Sequence, residues 1–393
     1  MNLVFFLTIG ALVSIILGEF GQFPFGTISA SVSLLDIFTT LSLMFVLIWQ
    51  IAIKKDFSLP LIYKFLVAFY LVATISLFFS QNISGGLYLI RFMLLSSGLL
   101  IGFYICRSKV VTLEKLLSVI LTIGMGYVLI GGIQFALFPK MDFLVSYGFD
   151  PHQFRLFGSF LDPNFSGTFL NIIFLISLYK FFSTREKKFL IMTLFILIAL
   201  LLTLSRSAYL MLLTEILIIG IFKYRYLIAL GIGILIILYF FVPVFAERVN
   251  GGISIDKSAA ERFESWDKAK IIIQDNLIFG VGFNNLRDAY EKYNLFKVYS
   301  PQGGNAGAGV DSSFLFVAAT TGVVGLIVYF LFWTKVFIDL FLNFLRKKNI
   351  LSLFLIAFTF GIFVNSQFIN SLFYPSILFL YSVLIGAKYG DNS

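Results

Sequence analysis

Apolar residues run in long blocks along this chain, punctuated by charged residues and by Gly, Pro and Asn. Cutting at that punctuation predicts twelve helices, at about 3–18, 28–53, 57–80, 87–106, 116–138, 164–182, 189–204, 208–223, 226–245, 313–338, 349–365 and 371–387. Several approach the ~20 residues with which a helix crosses a hydrocarbon core of about 30 Å. The pair at 189–204 and 208–223 is short, and the boundary between them is the least defined.

The basic residues test this division. Alternate junctions carry Lys54–Lys55, then Arg107, Lys109 and Lys115, then Arg185, Lys187 and Lys188. Lys223 and Arg225 follow, then Arg346–Lys347–Lys348, then Lys388. With twelve spans all of these fall on one side, together with Lys64, Lys180 and Lys335 at nearby span ends. Only Asp56, Glu114, Glu186, Asp339 and Asp391 share that side. The bias of Lys and Arg toward the cytoplasm makes it the inner side and puts both termini there.

Composition agrees. Length alone would suggest two or three soluble domains. The 393 residues are 59% hydrophobic and only 12% charged, however, against about 25% charged in a soluble domain. The expected fold is all-α: one polytopic membrane domain over 1–393, without internal repeats or a separate soluble domain. The net charge of +9 is then a topological signal, and nucleic acid is excluded as a first reading of the partner. One cysteine (Cys106) excludes a disulfide framework and a cysteine metal site. One histidine (His152) excludes a histidine cluster, so neither a metal nor a cofactor is expected. The first 18 residues lack a basic leader segment and a small-residue cleavage site, and read as a retained helix.

Two connections on the outer side are long, at 139–163 and at 246–312. The second mixes eight basic with nine acidic residues and reads as a folded cap. Within it, Ser258-Ala-Ala-Glu261 has capping-box spacing. Phe263, Trp266, Ala269 and Ile273 follow at helical spacing, predicting an amphipathic helix over 259–275. Gly303–Gly309 predicts a flexible stretch. Gly280-Val-Gly-Phe-Asn-Asn285 lacks the full dinucleotide fingerprint and reads as a tight turn returning that helix to the membrane.

Ionisable residues at membrane depth are functional candidates. Arg91 falls within the fourth span, Arg155 in the first outer loop, and Arg206 in the turn between spans seven and eight. Arg262 and Arg287 lie in the large loop, Arg287 on a solvated face, and Asp311 lies at the mouth of span ten. Guanidinium binds phosphate bidentately and keeps its charge, so such a set suits a diphosphate at the membrane interface. Each arginine could instead snorkel to headgroups or pair with a loop acid. Asp36 and Glu215 could relay protons or be buried, hydrogen-bonded carboxyls. His152 could act as a base, although a lone loop histidine is more often solvated.

Four pieces of sequence resemble the O-antigen polymerase and O-antigen ligase superfamily. They are Arg155-Leu-Phe-Gly-Ser-Phe-Leu-Asp-Pro-Asn-Phe-Ser-Gly167, Leu202-Thr-Leu-Ser-Arg-Ser-Ala208, Arg262-Phe-Glu-Ser-Trp266 with Asn276-Leu-Ile-Phe-Gly-Val-Gly282, and Asp311–Gly325. Their order, with the loop between spans nine and ten, covers roughly 150–335. The resemblance implies a bundle of about twelve helices in the bacterial inner membrane. It implies a metal-independent glycosyltransferase acting at the periplasmic face on undecaprenyl-diphosphate-linked oligosaccharides, which serve as donor and acceptor. A chain-length regulator protein is a partner that the resemblance alone suggests.

In that reading Arg91, Arg155, Arg206 and Asn164 bind substrate, and Arg262 and Asp311 are catalytic. Ligases of this superfamily carry a histidine where this chain has Asp311. That departure favours a polymerase, and Asp311 could be its general base or simply the cap of the following helix. A ligase, or a flippase for the lipid-linked glycan, are the alternatives. A flippase should show polar residues deep in the bundle and two-fold repetition, and the sequence shows few of the former and none of the latter.

Overall fold

A computed structural model describes residues 1–24, 31–55, 57–80, 82–83, 85–147, 151–296 and 309–391. α1 (Asn2–Leu17) leads into a short antiparallel hairpin of β1 (Gln22–Pro24) and β2 (Ser31–Ser33). α2 (Leu34–Leu47) continues as π-helix to Lys54. Next come α3 (Leu61–Leu77), α4 (Gly85–Ser96), α5 (Gly98–Arg107) and α6 (Leu113–Leu137). After a loop, α7 (Pro163–Thr184), α8 (Lys187–Leu202), α9 (Arg206–Phe222) and α10 (Tyr226–Phe241) follow closely. α11 (Pro243–Ile253), α12 (Lys257–Asp275) and α13 (Leu286–Lys292) form the large connection, and α14 (Ser313–Lys347), α15 (Ile350–Asn365) and α16 (Pro375–Asp391) close the chain.

Among the described residues the protein is thus all-α apart from the hairpin. Each apolar run coincides with a helix, α4 and α5 sharing one. Among the described residues six helices are long and apolar enough to cross a membrane: Asn2–Gly21, Leu34–Lys54, Gly85–Arg107, Leu113–Leu137, Pro163–Thr184 and Ser313–Lys347. A bent pair, Tyr226–Phe241 with Pro243–Asp275, would make a seventh. The run expected to begin at 28 becomes helical only at Leu34. There Ser33 accepts from the Asp36 amide, and Asp36 Oδ2 accepts from the Ser33 amide (2.8 Å), a capping box that fixes the helix start. The flexible stretch expected at 303–309 lies outside the described residues, save Gly309.

Lipid offers no hydrophobic drive between helices, so close packing must supply it. α5 and α16 show how. A methyl at Gly102 would lie 2.2 Å from Val383 O, and one at Gly386 would lie 2.0 Å from Leu99 O. The two backbones touch, and the sequence supplies glycine at both Gly98/Gly102 and Gly386/Gly390. At the other extreme, α10 buries only Leu227, while Phe240 and Phe241 are 74% and 80% exposed. Such an apolar outer face suits lipid.

The segment at 276–282 does more than turn. α14 breaks at Gly322, whose φ is +68°. Instead of closing the helix ladder, Val323 N donates to Leu277 O (2.8 Å). The freed carbonyls of Ala319 and Thr320 accept from the amides of Val281 and Gly282, both at 3.0 Å. Non-helical backbone at membrane depth needs such partners. The break lies nine residues into α14, or about 14 Å along it at 1.5 Å per residue, so the loop dips beside the helix rather than resting on its end. Phe279 stacks on Phe79 (4.7 Å) and the Phe283 amide donates to Ser76 Oγ (3.2 Å), pinning the loop to α3.

Two carboxyls left open by the sequence are resolved differently. Asp36 is no free relay: Arg91 donates to it through Nε and Nη2, each at 2.9 Å. Glu215 is fully buried against Gly361 of α15, and among the described residues neither of its oxygens has a hydrogen-bond partner. The hydrogen-bonded reading therefore fails for Glu215. Lys180 pairs with Glu114, and Lys335 with Asp339 one turn further along α14 at 2.6 Å, which neutralises basic residues within α7 and α14.

Candidate active site at the helix N-termini

α7 starts where the sequence says a helix should. Asp162 is its N-cap, accepting from the amides of Asn164 (2.6 Å) and Phe165 (3.2 Å), and Pro163 occupies the first helical position. α9 starts with Ser205 as cap and Arg206 as its first residue. Ser205 Oγ donates to Asn164 Oδ1 (2.8 Å), so the two N-termini meet. A methyl at Gly167 would lie 2.6 Å from Ala208 Cβ, which shows how closely these helices approach.

α14 joins them through the connection after α15. The Ser313 amide donates to Ser366 O (2.8 Å), and Thr168 of α7 donates to Asn365 Oδ1 (3.1 Å). The cap of α14 is Ser312, whose hydroxyl accepts from the Leu315 amide (3.3 Å). The capping role considered for Asp311 is thereby excluded. Asp311 is instead held by its backbone, its amide donating to Ser265 Oγ (3.2 Å) and its carbonyl accepting from Trp266 Nε1 (3.0 Å). Both partners lie on α12, the predicted amphipathic helix. Its cap is Asp256 rather than Ser258.

The arginines converge on this rim. Arg206 donates to Asp256 Oδ1 through Nη2 (2.8 Å). Its Nη1 is buried with no hydrogen-bond partner among the described residues. Arg155 donates from Nε to Thr203 O (2.9 Å) and from Nη2 to Leu204 O (3.4 Å). It therefore binds the two carbonyls just past the C-terminus of α8, where a cation is favoured, and part of its guanidinium is committed to structure. Burial pulls Arg155 down to about 10, and the nearby Arg248 and Arg262 push the same way. Burial also lowers Arg262, Asp311 opposes this most strongly, and Arg206 adds to the lowering. Partial burial is the largest single influence on Asp256 and raises it, but the hydrogen bonds from Arg206 and the Ala259 amide, with the charges of Arg206 and Arg248, together leave the carboxyl below its ordinary value. Arg155 is thus within electrostatic reach of Arg248 and Arg262, and Arg262 within reach of Arg206, with Asp162, Asp256 and Asp311 among them.

Of the residues expected from sequence, Arg155, Arg206, Arg262, Asn164 and Asp311 thus gather at one rim. Arg91 does not: it is locked to Asp36 behind the hairpin. His152 is buried against Phe157 (5.6 Å) rather than solvated. Arg287 sits half-buried on α13. Sequence reasoning missed Arg248, Asp162 and Asp256. The Asp-Pro pair at 162–163 was a legible helix start, whereas Arg248 carried no local signal.

Residues 191–330 match a protein-family model described as O-antigen ligase. The matched segment runs from α8 into α14 and contains Arg206, Arg248, Asp256, Arg262 and Asp311. The match supports the resemblance to the O-antigen polymerase and ligase superfamily, whose members are glycosyltransferase-like enzymes of the membrane. No curated protein matches the chain.

Proposed function

We propose that the chain is a polysaccharide repeat-unit polymerase. It transfers an undecaprenyl-diphosphate-linked glycan to the acceptor sugar of another lipid-linked repeat. The reaction takes place on the periplasmic face of the bacterial inner membrane, with twelve crossings and both termini cytoplasmic. The observation that carries this reading is Arg206: a guanidinium nitrogen buried without a hydrogen-bond partner among the described residues, near three further arginines and at the N-terminus of its own helix. Such a place favours an anion, and a diphosphate brings the acceptor oxygens that a fork of N–H donors fits.

In the reaction the acceptor hydroxyl attacks the anomeric carbon and the lipid diphosphate leaves with the bonding electrons. Arg206 and Arg262 stabilise the charge that develops on it, in a setting where water is scarce. Asp311, positioned by Ser265 and Trp266, takes the hydroxyl proton. Asp311→Asn keeps the backbone contacts, since both run through main-chain atoms, and leaves the Ser312 cap intact. Turnover should nevertheless fall about a hundredfold or more, the usual contribution of a general base. Unchanged chain length on a glycan gel would remove Asp311 from the chemistry.

The clamp should hold its charge across neutral pH. Arg155 gives up its proton only as pH rises through about 10, and Asp256 stays ionised to below the ordinary carboxylate range. Affinity for undecaprenyl diphosphate is therefore expected to be flat between about pH 7 and 9 and to decline above about 10. A titration repeated across that range checks it, and a fall between 7 and 8 would point to a different binding group.

The description of the matching family favours a second reading, a ligase that passes finished glycan to another acceptor. Deletion of the gene in its host separates the two. Loss of a polymerase leaves single repeat units attached, whereas loss of a ligase leaves no attached glycan and polymer stalled on the lipid carrier.

A further inference from the structure

Asp256 serves two partners with one oxygen. As the N-cap of α12, its Oδ1 accepts from the Ala259 amide (2.9 Å). The same Oδ1 accepts from Arg206 Nη2 of α9 (2.8 Å). The seat of this carboxylate is tight. The Asp256 amide donates to Gly251 O (2.8 Å), and a methyl at Gly251 would lie 2.7 Å from Asp256 Oδ2. The side chains of Arg206 and Asp256 are only 17% and 30% exposed, so water competes for their pair less than on an open surface.

α12 reaches the rim at a second place. Nine and ten residues after Asp256, Ser265 Oγ and Trp266 Nε1 hold the Asp311 backbone at the start of α14. That spacing is about 14 Å of helix at 1.5 Å per residue. Beyond α12, Leu277–Gly282 exchange backbone hydrogen bonds with the break in α14. α12 is thus a crossbar. It is tied to α14 along its C-terminal half and grips Arg206 of α9 with the cap at its N-terminus.

An acid beside a cationic clamp can do one of two things. It can be a counter-charge that the ligand displaces, or a holder that the ligand leaves in place. The geometry favours the holder. Asp256 ties Nη2, whereas Nη1 of the same guanidinium is the buried nitrogen without a hydrogen-bond partner among the described residues. The guanidinium is planar and rigid, so fixing one nitrogen fixes the direction of the other. A freed arginine side chain samples many rotamers, which an incoming ligand must then order. We infer that Asp256 is a positioning residue, which holds the Arg206 guanidinium in one orientation for the leaving diphosphate and, through α12, keeps it in register with Asp311. The inference rests on the diphosphate reading of Arg206 proposed above.

The test separates holding from capping. Serine caps a helix about as well as aspartate but is too short to keep Arg206 as well. Asparagine caps equally and leaves an acceptor oxygen in the same place. In the full-length protein in lipid nanodiscs, Asp256→Ser should weaken undecaprenyl-diphosphate binding about tenfold. Polymer turnover should fall about tenfold to a hundredfold, the effect of slightly misplacing a group that acts on the reacting atoms. Melting should stay close to the wild type, and Asp256→Asn should recover most of both losses. In an Arg206→Ala background, Asp256→Ser should add no further loss of binding, because it acts through Arg206. Wild-type turnover and binding in Asp256→Ser, beside weakened binding in Arg206→Ala, reduce Asp256 to a cap and overturn the inference alone. Tighter binding in Asp256→Ser makes it a displaceable counter-charge and overturns the inference as well. So does an undiminished second loss in the Arg206→Ala background, or an Asp256→Asn variant no better than Asp256→Ser. Wild-type binding in Arg206→Ala overturns the clamp itself, and the positioning role falls with it.

Discussion

Arg206→Ala is expected to stop polymer formation while the protein still accumulates in the membrane. The side chain springs from the first residue of α9, and among the described residues its one ion pair is with Asp256 on another element. α9 keeps its Ser205 cap without it. In the proposed reaction the variant removes a buried donor to the leaving diphosphate, and loss of one such donor costs about a hundredfold to a thousandfold in turnover. Arg262→Ala should act in the same direction, since its charge shares the rim with Arg206 and Asp311. Glycan gels with matched membrane levels of the protein check both. Wild-type chain length in both variants would sink the diphosphate clamp. Arg206→Lys should rescue poorly, because an ammonium is a point charge and cannot reproduce the planar fork.

Gly322→Ala should be the most damaging single methyl in the protein. The new Cβ would lie 2.1 Å from Ile278 O and 2.3 Å from Ile278 C. Both are backbone atoms of the inserted loop and cannot turn aside. The φ of +68° adds strain that only glycine escapes at no cost, about 1–3 kcal/mol for a non-glycine residue. Relief by restoring the helix would orphan the amides of Val281 and Gly282, which now bond to Ala319 O and Thr320 O. We expect the variant to disappear from membranes, or to melt far below the wild type in detergent. Gly132→Ala is the control, since nothing lies within 4 Å of its added methyl. Equal levels and equal melting for both variants would contradict the exchanged hydrogen bonds.

The two predictions mark where the sequence was readable and where it was not. Helices were legible because a run of apolar residues in lipid has one way to satisfy its backbone. The rim was half legible. Arg155, Arg206 and Arg262 stood out as charges in or beside apolar blocks, and Asn164 and Asp311 came with the motifs around them. Arg91 looked equivalent to them in sequence, but Asp36, 55 residues away, claims it through a bidentate pair. That is a tertiary fact with no local trace. Ser258 had capping-box spacing, yet Asp256 took the cap, since an aspartate two residues earlier serves an amide at the third helical position equally well. The break at Gly322 was invisible for a similar reason. Thr-Gly-Val-Val-Gly reads as ordinary membrane helix, and only the arrival of residues 277–282, some 40 residues earlier in the chain, gives the open backbone its partners.

The most direct measurement of the central claim is a titration of undecaprenyl diphosphate into the purified protein in nanodiscs, wild type against Arg206→Ala. The account predicts saturable binding by the wild type and affinity at least about tenfold weaker in the variant, for the loss of one charge-assisted pair. Equal affinity in the two proteins, or none in the wild type, would contradict it.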